Sequence, residues 1–391
     1  MSIPVAPDRA TLDEAIEIRR ALHLRPEIGF EEVETTRFLN SHLASLGLEV
    51  APCPTPTGAV AVLQGGRPGR TVMIRADIDA LPIHEESGVE FASRIDGRMH
   101  ACGHDAHTAI LLGVARTLAA RAEDLPGRYV LVFQPAEEIV SGAKAMIAGG
   151  LLDQHSLDAV IGLHIATFLP AGMVVSKPGL LWAGSDAYEV TFSGPGGHGG
   201  LMRRSGNVVS AQAFLIERLH QVVEGLEYEG AACHTTVGDV RTDGAWNIVP
   251  RSAVLKGSLR TFTPALRNEA LIRLDGLLLE ASSEFEVQAS IRFVHGTVPL
   301  MNDPNVTRHV MQAGREIVGD HCSLLGAPLT VSDDMAEFLT RVPGCYFMVG
   351  AAPGDTDHPI AHHSPGFRID EGCIEVGVRM LTASALAIAS G

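Results

Sequence analysis

The densest group of reactive side chains lies at residues 99–107, in the run Met-His-Ala-Cys-Gly-His-Asp-Ala-His. A single glycine separates Cys102 from His104. Because glycine lets the backbone turn tightly, both side chains can reach one metal ion. The alternative is a loop at a helix start, with Asp105 near the helix N-terminus and a buried free cysteine. The run by itself leaves both interpretations open.

Two adjacent carboxylates, Glu137 and Glu138, follow an apolar run at residues 129–133. Buried together without a cation they would repel each other, whereas a metal ion neutralises one and leaves its neighbour free. Glu138 would then bind the metal, while Glu137 takes a proton from the attacking water and returns it to the leaving amine. A solvated acidic turn is the alternative.

Histidines follow two further apolar runs. His164 comes directly after the run 159–163, and we interpret it as a metal ligand at a strand end, although a lone histidine among apolar residues is often a core residue. Three more follow the run 346–349, namely His358, His362 and His363, and spacing alone does not select one of them. With the cysteine and the acidic pair, these histidines supply the ligands of a two-metal hydrolytic site.

His198 lies in a glycine-rich run, residues 194–200, which lacks the Lys-Ser/Thr ending of a phosphate-binding loop. A histidine on a flexible glycine turn suits a group that reaches into another cleft to stabilise an oxyanion. A plain hairpin loop is the alternative.

Short apolar runs precede most of these residues and predict buried strands, at 60–63, 72–74, 129–133 and 159–163. Helical stretches such as 108–121 separate them, and an earlier helical pair between residues 12 and 46 is broken at Pro26. This pattern is typical of an α/β fold, with a largely parallel sheet and helices on its faces. Polar residues at the carboxyl ends of such strands should converge in one cleft, here Asp77, Asp79, Glu137, Glu138 and His164.

Between residues 185 and 295 the pattern changes to β-α-β-β-α-β, the order of a ferredoxin-like unit with an antiparallel sheet. Its predicted strands are 187–192, 233–241, 253–262 and 285–293, and its helices are 207–223 and 271–282. At 391 residues the chain exceeds what one hydrophobic core usually supports. We therefore expect an inserted domain at 185–295 that divides the first domain into residues 1–184 and 296–391.

The chain is acidic, with 30 Lys and Arg against 46 Asp and Glu and a formal net charge of -16. Such a surface repels nucleic acid and anionic membranes, so neither is expected as a partner. Residues 1–13 lack the apolar core of a signal sequence, and no apolar stretch of about 18 residues is evident elsewhere. Six cysteines without paired spacing suit a reducing compartment, so we expect a cytoplasmic protein.

A series of motifs resembles the M20 metallopeptidase family, in the amidohydrolase branch that includes hippurate hydrolases and indole-3-acetyl-amino acid hydrolases. The motifs lie at residues 23–29, 75–83, 99–107, 134–138, 162–164, 196–198, 247–250 and 363–365. In this order they are highly specific, and they span nearly the whole chain. The resemblance implies a zinc-peptidase-like catalytic domain, with a mixed, mostly parallel sheet flanked by helices, and an inserted ferredoxin-like lid.

For the site, the resemblance implies two divalent metal ions per subunit, zinc or manganese. Their ligands would be Cys102, His104, Glu138, His164 and His363. His363 is favoured over His362 because it directly precedes the Ser-Pro of the family's pattern. Glu137 would be the general base, and Asp79 the carboxylate that steadies a ligand. Other branches have a histidine ligand where this chain has Asp77, so the role of Asp77 stays open.

In the family's lid, a histidine like His198 reaches the active site of the partner subunit and polarises the scissile carbonyl. Residues like Asn247 and Arg260 bind the substrate, and a guanidinium suits a free α-carboxylate. The resemblance thus implies a homodimer through the lid and a small N-acyl amino acid substrate. Residues 199–205 depart from the branch's pattern, which leaves the acyl group open.

The leading hypothesis is metal-dependent hydrolysis of the amide bond of N-acyl amino acids or similar small amidates. A dipeptidase or a hydrolytic deaminase is the nearest rival on the same fold. A non-catalytic, metal-stabilised dimer that binds a ligand is disfavoured, because a structural site would not need Glu137 beside Glu138. An enzyme with Cys102 as its nucleophile is weaker still, because no separate base-and-orienter set is apparent.

Overall fold

The structure, a computed structural model, describes residues 6–201, 206–354 and 360–391. His358 and residues 202–205 therefore lie outside the described residues. The chain forms two compact units. The first contains residues up to Gly179 together with Met301–Gly326 and Asp334–Gly391, and the second contains Leu180–Leu300 and Ala327–Asp333. The units divide at Leu180 and Leu300, whereas the sequence places the insert at 185–295.

The first unit starts with two helices and then alternates strands with helices. Up to the second unit its elements are α1 (Arg9–His23), α2 (Val33–Ser45), β1 (Glu49–Ala51), β2 (Ala59–Gln64), β3 (Arg67–Asp77), α3 (His104–Ala119), β4 (Pro126–Gln134), α4 (Gly142–Ala148), α5 (Leu151–Gln154), β5 (Ala159–Pro170) and β6 (Val174–Ser176). The Asp8 side chain caps α1 by accepting the Thr11 N–H at 2.8 Å. Because α1 ends at His23 and α2 begins at Val33, the predicted break between the first two helices is present.

The next elements belong to the second unit or lie at its two ends. They are β7 (Gly179–Trp182), β8 (Gly184–Ser193), β9 (Gly197–His198), α6 (Val208–Arg218), β10 (Glu227–Tyr228), β11 (Ala231–Ala232), β12 (His234–Thr242), β13 (Ile248–Val249), β14 (Ser252–Thr261), α7 (Pro264–Phe285), β15 (Gln288–Thr297) and β16 (Leu300–Asn302). The chain then completes the first unit with α8 (Pro304–Val318), β17 (Cys322–Leu324), α9 (Met335–Leu339), β18 (Gly344–Ala352) and α10 (Gly372–Ala389).

The central sheet of the first unit has the strand order β1-β2-β4-β3-β5-β18-β6-β17. Its middle strands β4, β3, β5 and β18 are parallel neighbours, whereas β1 and β2 pair antiparallel with their neighbours. At the other edge β6 pairs antiparallel with β18 and parallel with β17. The predicted fold, a mostly parallel sheet flanked by helices, is confirmed. One detail was wrong: His164 does not end a strand, because β5 continues past it to Pro170.

Helices α3 and α10 lie at the centre of the first unit's core. α3 packs against α1 and α10, and α10 also packs against β3 and β5. By length and composition alone α10 is apolar enough to cross a membrane. The expectation that the chain has no apolar stretch of about 18 residues was therefore wrong for this helix. However, 61% of it is buried inside the protein, as expected of a core helix.

The second unit is built on a four-stranded antiparallel sheet with the order β12-β14-β8-β15. Along the chain its main elements follow the order β8-α6-β12-β14-α7-β15, which is the predicted β-α-β-β-α-β order. Buried apolar residues from α6 and α7, among them Phe214, Leu274 and Phe285, pack with those of β8 and β14 into a separate core. The role of this unit as a lid stays a prediction.

Candidate metal centre

The turn after β4 carries the two adjacent carboxylates. One oxygen of Asp79 accepts the backbone N–H of Glu137 at 3.0 Å, and its other oxygen accepts the N–H of Glu138, also at 3.0 Å. Asp79 itself is buried and lies two residues beyond the end of β3, the neighbouring parallel strand. The pairing of β3 with β4 therefore places Asp79 where it can fix the backbone of both glutamates.

Cys102 and His104 flank a sharp turn at the start of α3. Gly103 between them has φ +89°, and a Cβ there would lie only 2.2 Å from Cδ1 of Ile165 on β5. Only glycine satisfies both constraints. The Nδ1–H of His104 donates to the carbonyl of Asp79 at 2.8 Å, which directs the Nε2 atom toward the acidic pair. That Nε2 atom lies 3.8 Å from Oε1 of Glu138 and 4.0 Å from Oε2 of Glu137.

His164 faces the cysteine from β5. Its Nδ1–H donates to the carbonyl of Ile165 at 2.6 Å, and its Nε2 lies 3.5 Å from the Cys102 sulfur. Burial, with the neighbouring His107 adding to the effect, holds the pKa of His164 well below its usual value. The ring is therefore neutral, with an unprotonated Nε2 of the kind that binds metals.

The two histidines near the chain end have different partners. The His363 N–H donates to the carbonyl of Ala101 at 2.8 Å, and its Nε2 lies 3.4 Å from Oε2 of Glu138. His362 accepts the Thr167 N–H at Nε2 at 3.2 Å, with its Nδ1 3.7 Å from the Cys102 sulfur. Since a backbone amide already occupies the Nε2 atom of His362, its neighbour is the better candidate ligand.

The predicted ligands form two groups of atoms that lie within 4.8 Å of one another. One group consists of Cys102, His104 and His164, and the other of Cys102, Glu138 and His363. Both contain the same sulfur atom. Nε2 of His104 and Oε1 of Glu138 are buried without a hydrogen-bond partner among the described residues, as expected of atoms that bind a cation. The residues present thus fit two divalent ions.

The charges around His104 point the same way. Burial alone would lower the pKa of this imidazole, but the carboxylates of Asp77, Asp79 and Glu138 raise it to about 10. Burial likewise would raise the pKa of Glu138, and His363 and His104 bring it below its usual value. Asp77, Asp79 and Glu138 thus surround the ring with carboxylates, and bound cations would offset their negative charge.

Three further residues surround the ligands, and sequence reasoning gave two of them no role. Asp77 lies 2.5 Å from Nδ1 of His107 and 2.8 Å from Nη1 of Arg75, all three being buried. The other ring nitrogen of His107 accepts the N–H of Ile165 at 3.0 Å, so the ring orients β5 rather than a metal. Asp77 also lies beside the metal-binding nitrogen of His104, with 3.7 Å between its Oδ2 atom and the Nε2 atom of that ring. The i, i+3 spacing of the two histidines on α3 was the available signal.

The predicted lid residues all lie in the second unit. His198 on β9 pairs with Ile248 on β13, and the Gly199 N–H donates to the carbonyl of Asn247 at 2.9 Å. The glycine turn is therefore attached to the segment that carries Asn247. Arg260 lies on β14 opposite Ser185 of β8 and donates from Nη1 to the hydroxyl of Ser332.

Comparison with known proteins assigns the chain to a family. A model of peptidase family M20/M25/M40 matches residues 73–387. An N-acetyl-L-cysteine deacetylase from Bacillus subtilis is 37% identical over 92% of this chain and 84% of its own length. An IAA-amino acid hydrolase from Arabidopsis thaliana is 32% identical over 96% of this chain and 85% of its own length.

The structural comparison agrees. A dinuclear metal-binding peptidase of family M20 from Bacillus subtilis superposes with a TM-score of 0.79 and 28% identity, covering 98% of this chain and 99% of the other. The predictions of the family, of a metal-dependent amidohydrolase and of two divalent metal ions are confirmed, while the individual site residues stay predictions. The chain belongs to peptidase family M20/M25/M40.

Proposed function

We propose that this chain hydrolyses the amide bond of N-acyl amino acids or of similar small amidates. The observation that carries the proposal is the position of Glu137. It is held beside Glu138 by Asp79 and lies close to His104 and Glu138, but it belongs to neither of the two ligand groups that contain Cys102. A buried carboxylate at the edge of a metal centre is suited to move protons.

We assign Cys102, His104 and His164 to one metal ion, and Cys102, Glu138 and His363 to the other. The Cys102 sulfur belongs to both groups, so its thiolate would contribute to the binding of both ions. When bound, the ions supply Lewis-acid activation of water and of the scissile carbonyl. Thiolate and imidazole suit zinc, whereas the family resemblance implies manganese equally, and metal analysis distinguishes the two.

Glu137 carries the proton transfers. Its carboxylate accepts a proton as the oxygen of the attacking water forms a bond to the acyl carbon. It then donates that proton to the amide nitrogen, and the C–N bond breaks to release the amine. Asp79 accepts the backbone N–H groups of both glutamates, which fixes the position of Glu137, the proton carrier, relative to Glu138, the proposed ligand.

The substrate class follows from the second unit and from the relatives. By their names, the deacetylase and the IAA-amino acid hydrolase act on an N-acylated cysteine and on IAA-amino acid conjugates, which both keep an amino acid part. Arg260 would pair with the free α-carboxylate, with Asn247 and His198 at the scissile carbonyl. Such a substrate carries one negative charge and one amide bond.

We further propose a homodimer through the second unit, with His198 acting at the active site of the partner subunit. Large apolar side chains on the two attached segments support this arrangement. Trp246, next to Asn247, is 96% exposed, and Leu201, three residues after His198, is 83% exposed. Apolar side chains this exposed are typical of contact surfaces.

We place the protein in the cytoplasm. All six cysteines are free, and four of them are buried. Free thiols persist in a reducing compartment, where disulfides rarely form.

The test combines metal analysis with a substrate panel. Purified protein should contain two divalent ions per chain, lose activity with a chelator and regain it with zinc or manganese. The panel compares N-acetyl, N-benzoyl and indoleacetyl amino acids with dipeptides that have a free amino terminus. Glu137→Gln should keep both ions and lose turnover by about 10²- to 10⁴-fold. Full turnover in that variant, or no amide hydrolysis by metal-loaded protein, would refute the proposal.

A further inference from the structure

Glu32 is a fully buried carboxylate outside the proposed set of catalytic and ligand residues. It occupies the position before the first turn of α2, where a side chain usually caps its own helix, but it makes no such hydrogen bond. The side chain of Glu27 takes that task, accepting the N–H groups of Glu34 and Thr35 at 3.1 and 2.8 Å. Glu32 is thereby available for contacts elsewhere.

Both carboxylate oxygens of Glu32 accept hydrogen bonds from residues that are distant in the sequence. Oε1 accepts the backbone N–H of Ala136 at 2.9 Å, and Oε2 accepts the hydroxyl of Thr57 at 2.7 Å. Ala136 directly precedes Glu137. Burial raises the pKa of Glu32 to about 7, and these hydrogen bonds oppose the shift. A carboxylate kept in such a place needs strong partners to offset its desolvation.

Ala136 needs such a contact because its backbone is in an unfavourable conformation. Its φ is +54°, in the left-handed region, where a residue with a Cβ costs about 1 kcal/mol or more. The carbonyl side of the turn is closed by its own chain, since Ser141 and Gly142 donate to the Ala136 oxygen at 3.2 and 3.1 Å. The backbone N–H groups of the turn, by contrast, donate to side chains from other segments of the chain.

Two carboxylates divide these N–H groups between them. Glu32 accepts the N–H of Ala136, and Asp79 accepts those of Glu137 and Glu138, so three consecutive amides are held. The segment before α2 also packs closely here: a Cβ on Gly29 would lie 3.0 Å from Cα of Ala136 and 3.4 Å from Oδ2 of Asp79.

We propose that Glu32 is a positioning residue that holds the strained Ala136 backbone, and thereby sets the direction of Glu137 and Glu138. The inference rests on the proposed function for its catalytic consequence only. Its structural part concerns the backbone of residues 136–138 and has its own readout in hydrogen exchange.

The experiment compares two neutral variants of similar volume, Glu32→Gln and Glu32→Met. Both variants lose the negative charge and have a similar side-chain volume, so these two effects are the same in each. They differ in one respect: only glutamine keeps an oxygen that can accept the Ala136 N–H. With saturating metal, Glu32→Met should lower kcat by about 10- to 100-fold and change KM by less than about threefold, whereas Glu32→Gln should stay near the parent. Amide hydrogen exchange of residues 135–142 should accelerate in the methionine variant alone.

A second substitution separates positioning from general loosening. Glycine adopts φ +54° without the cost that alanine has, so Ala136→Gly in the Glu32→Met background should recover part of the lost kcat. A Glu32 that merely stabilised α2 would give no recovery. Equal kcat and equal exchange for the glutamine and methionine variants would overturn the proposal, as would a loss of kcat that Ala136→Gly leaves unchanged.

If Glu32→Met fails to fold, Thr57 supplies the same contrast. Thr57→Ser keeps the hydroxyl that donates to Glu32 and Thr57→Val removes it, so faster exchange of residues 135–142 is expected only in the valine variant. Identical exchange in the two variants would also overturn the proposal. Should the protein hydrolyse no N-acyl amino acid at all, these exchange measurements still decide whether Glu32 holds the turn.

Discussion

The sulfur of Cys102 lies 3.5 Å from Nε2 of His164, a residue 62 positions further along the chain. The same sulfur belongs to the group that contains Glu138 and His363. A substitution at the cysteine should therefore affect both metal ions, whereas one at His164 or Glu138 should affect mainly one.

We expect Cys102→Ser to retain less than one ion per chain and to lose about 100-fold or more in kcat, because Lewis-acid activation contributes several kcal/mol. His164→Ala and Glu138→Gln should each retain about one ion. Elemental analysis after gel filtration measures the metal content. A serine variant with two tightly bound ions would contradict the assignment of a shared sulfur.

Mixing two inactive variants tests whether His198 acts on the partner subunit. A heterodimer of Glu137→Gln and His198→Ala chains contains one site in which the intact glutamate meets the intact histidine, provided that the histidine crosses over. Heterodimers purified through two different tags should then show about half the parental turnover. If His198 acts within its own chain, the mixed dimer is as inactive as either homodimer.

The buried His23 predicts a loss of stability in alkaline solution. Burial alone would lower its pKa, but Asp105 at 2.8 Å and Glu85 at 3.1 Å raise it to about 9. The folded state therefore binds this proton more tightly than the unfolded chain. Its contribution is complete below about pH 6.5 and is lost as the pH rises through about 9.

Urea unfolding between pH 6 and pH 10 measures this dependence. Between about pH 6.5 and 9 the parent should lose up to about 1.4 kcal/mol for each pH unit, a slope that His23→Gln lacks. Arg19 and His100 lie next to His23 and are unchanged in the variant, so the difference between the two curves isolates His23. Parallel curves would show that the ring is not protonated in the folded state.

Arg75 should contribute more to folding than any exposed arginine. Its guanidinium lies 2.8 Å from Asp77 and 3.0 Å from Asp334, with all three side chains buried. Arg75→Met leaves two buried carboxylates without their cation and should lower the free energy of unfolding by about 3–5 kcal/mol. Arg121, which pairs with Asp124 at 3.1 Å on the surface, is the control, and Arg121→Met should cost less than about 1 kcal/mol.

The strand prediction indicated which side chains lie close together, because the carboxyl ends of parallel strands lie at the same edge of a sheet. The sequence therefore sufficed to associate Asp79 with Glu137 and Glu138. His164 reaches the site from within β5, because this strand runs on to Pro170. An apolar run marks where burial starts, but not how long hydrogen bonding to neighbouring strands continues.

The residues behind the ligands were less accessible from the sequence. Arg75 meets Asp334 across 259 positions, and Glu32 meets Ala136 across 104. Neither contact can be predicted from a local periodicity or from the spacing of residues in the sequence. Such contacts depend on the way the segments pack, and only the folded structure brings them together.

The first unit is assembled from segments that precede and follow the main part of the second unit. β18 inserts between β5 and β6, and His363 follows it. During synthesis β5 can pair with β3 at once, whereas its other neighbour, β18, is made only after the second unit, which is contained largely in Leu180–Leu300. Nascent chains that stop before β18 should thus lack this strand and His363, so that loading with both ions has to wait until residue 363 has been made.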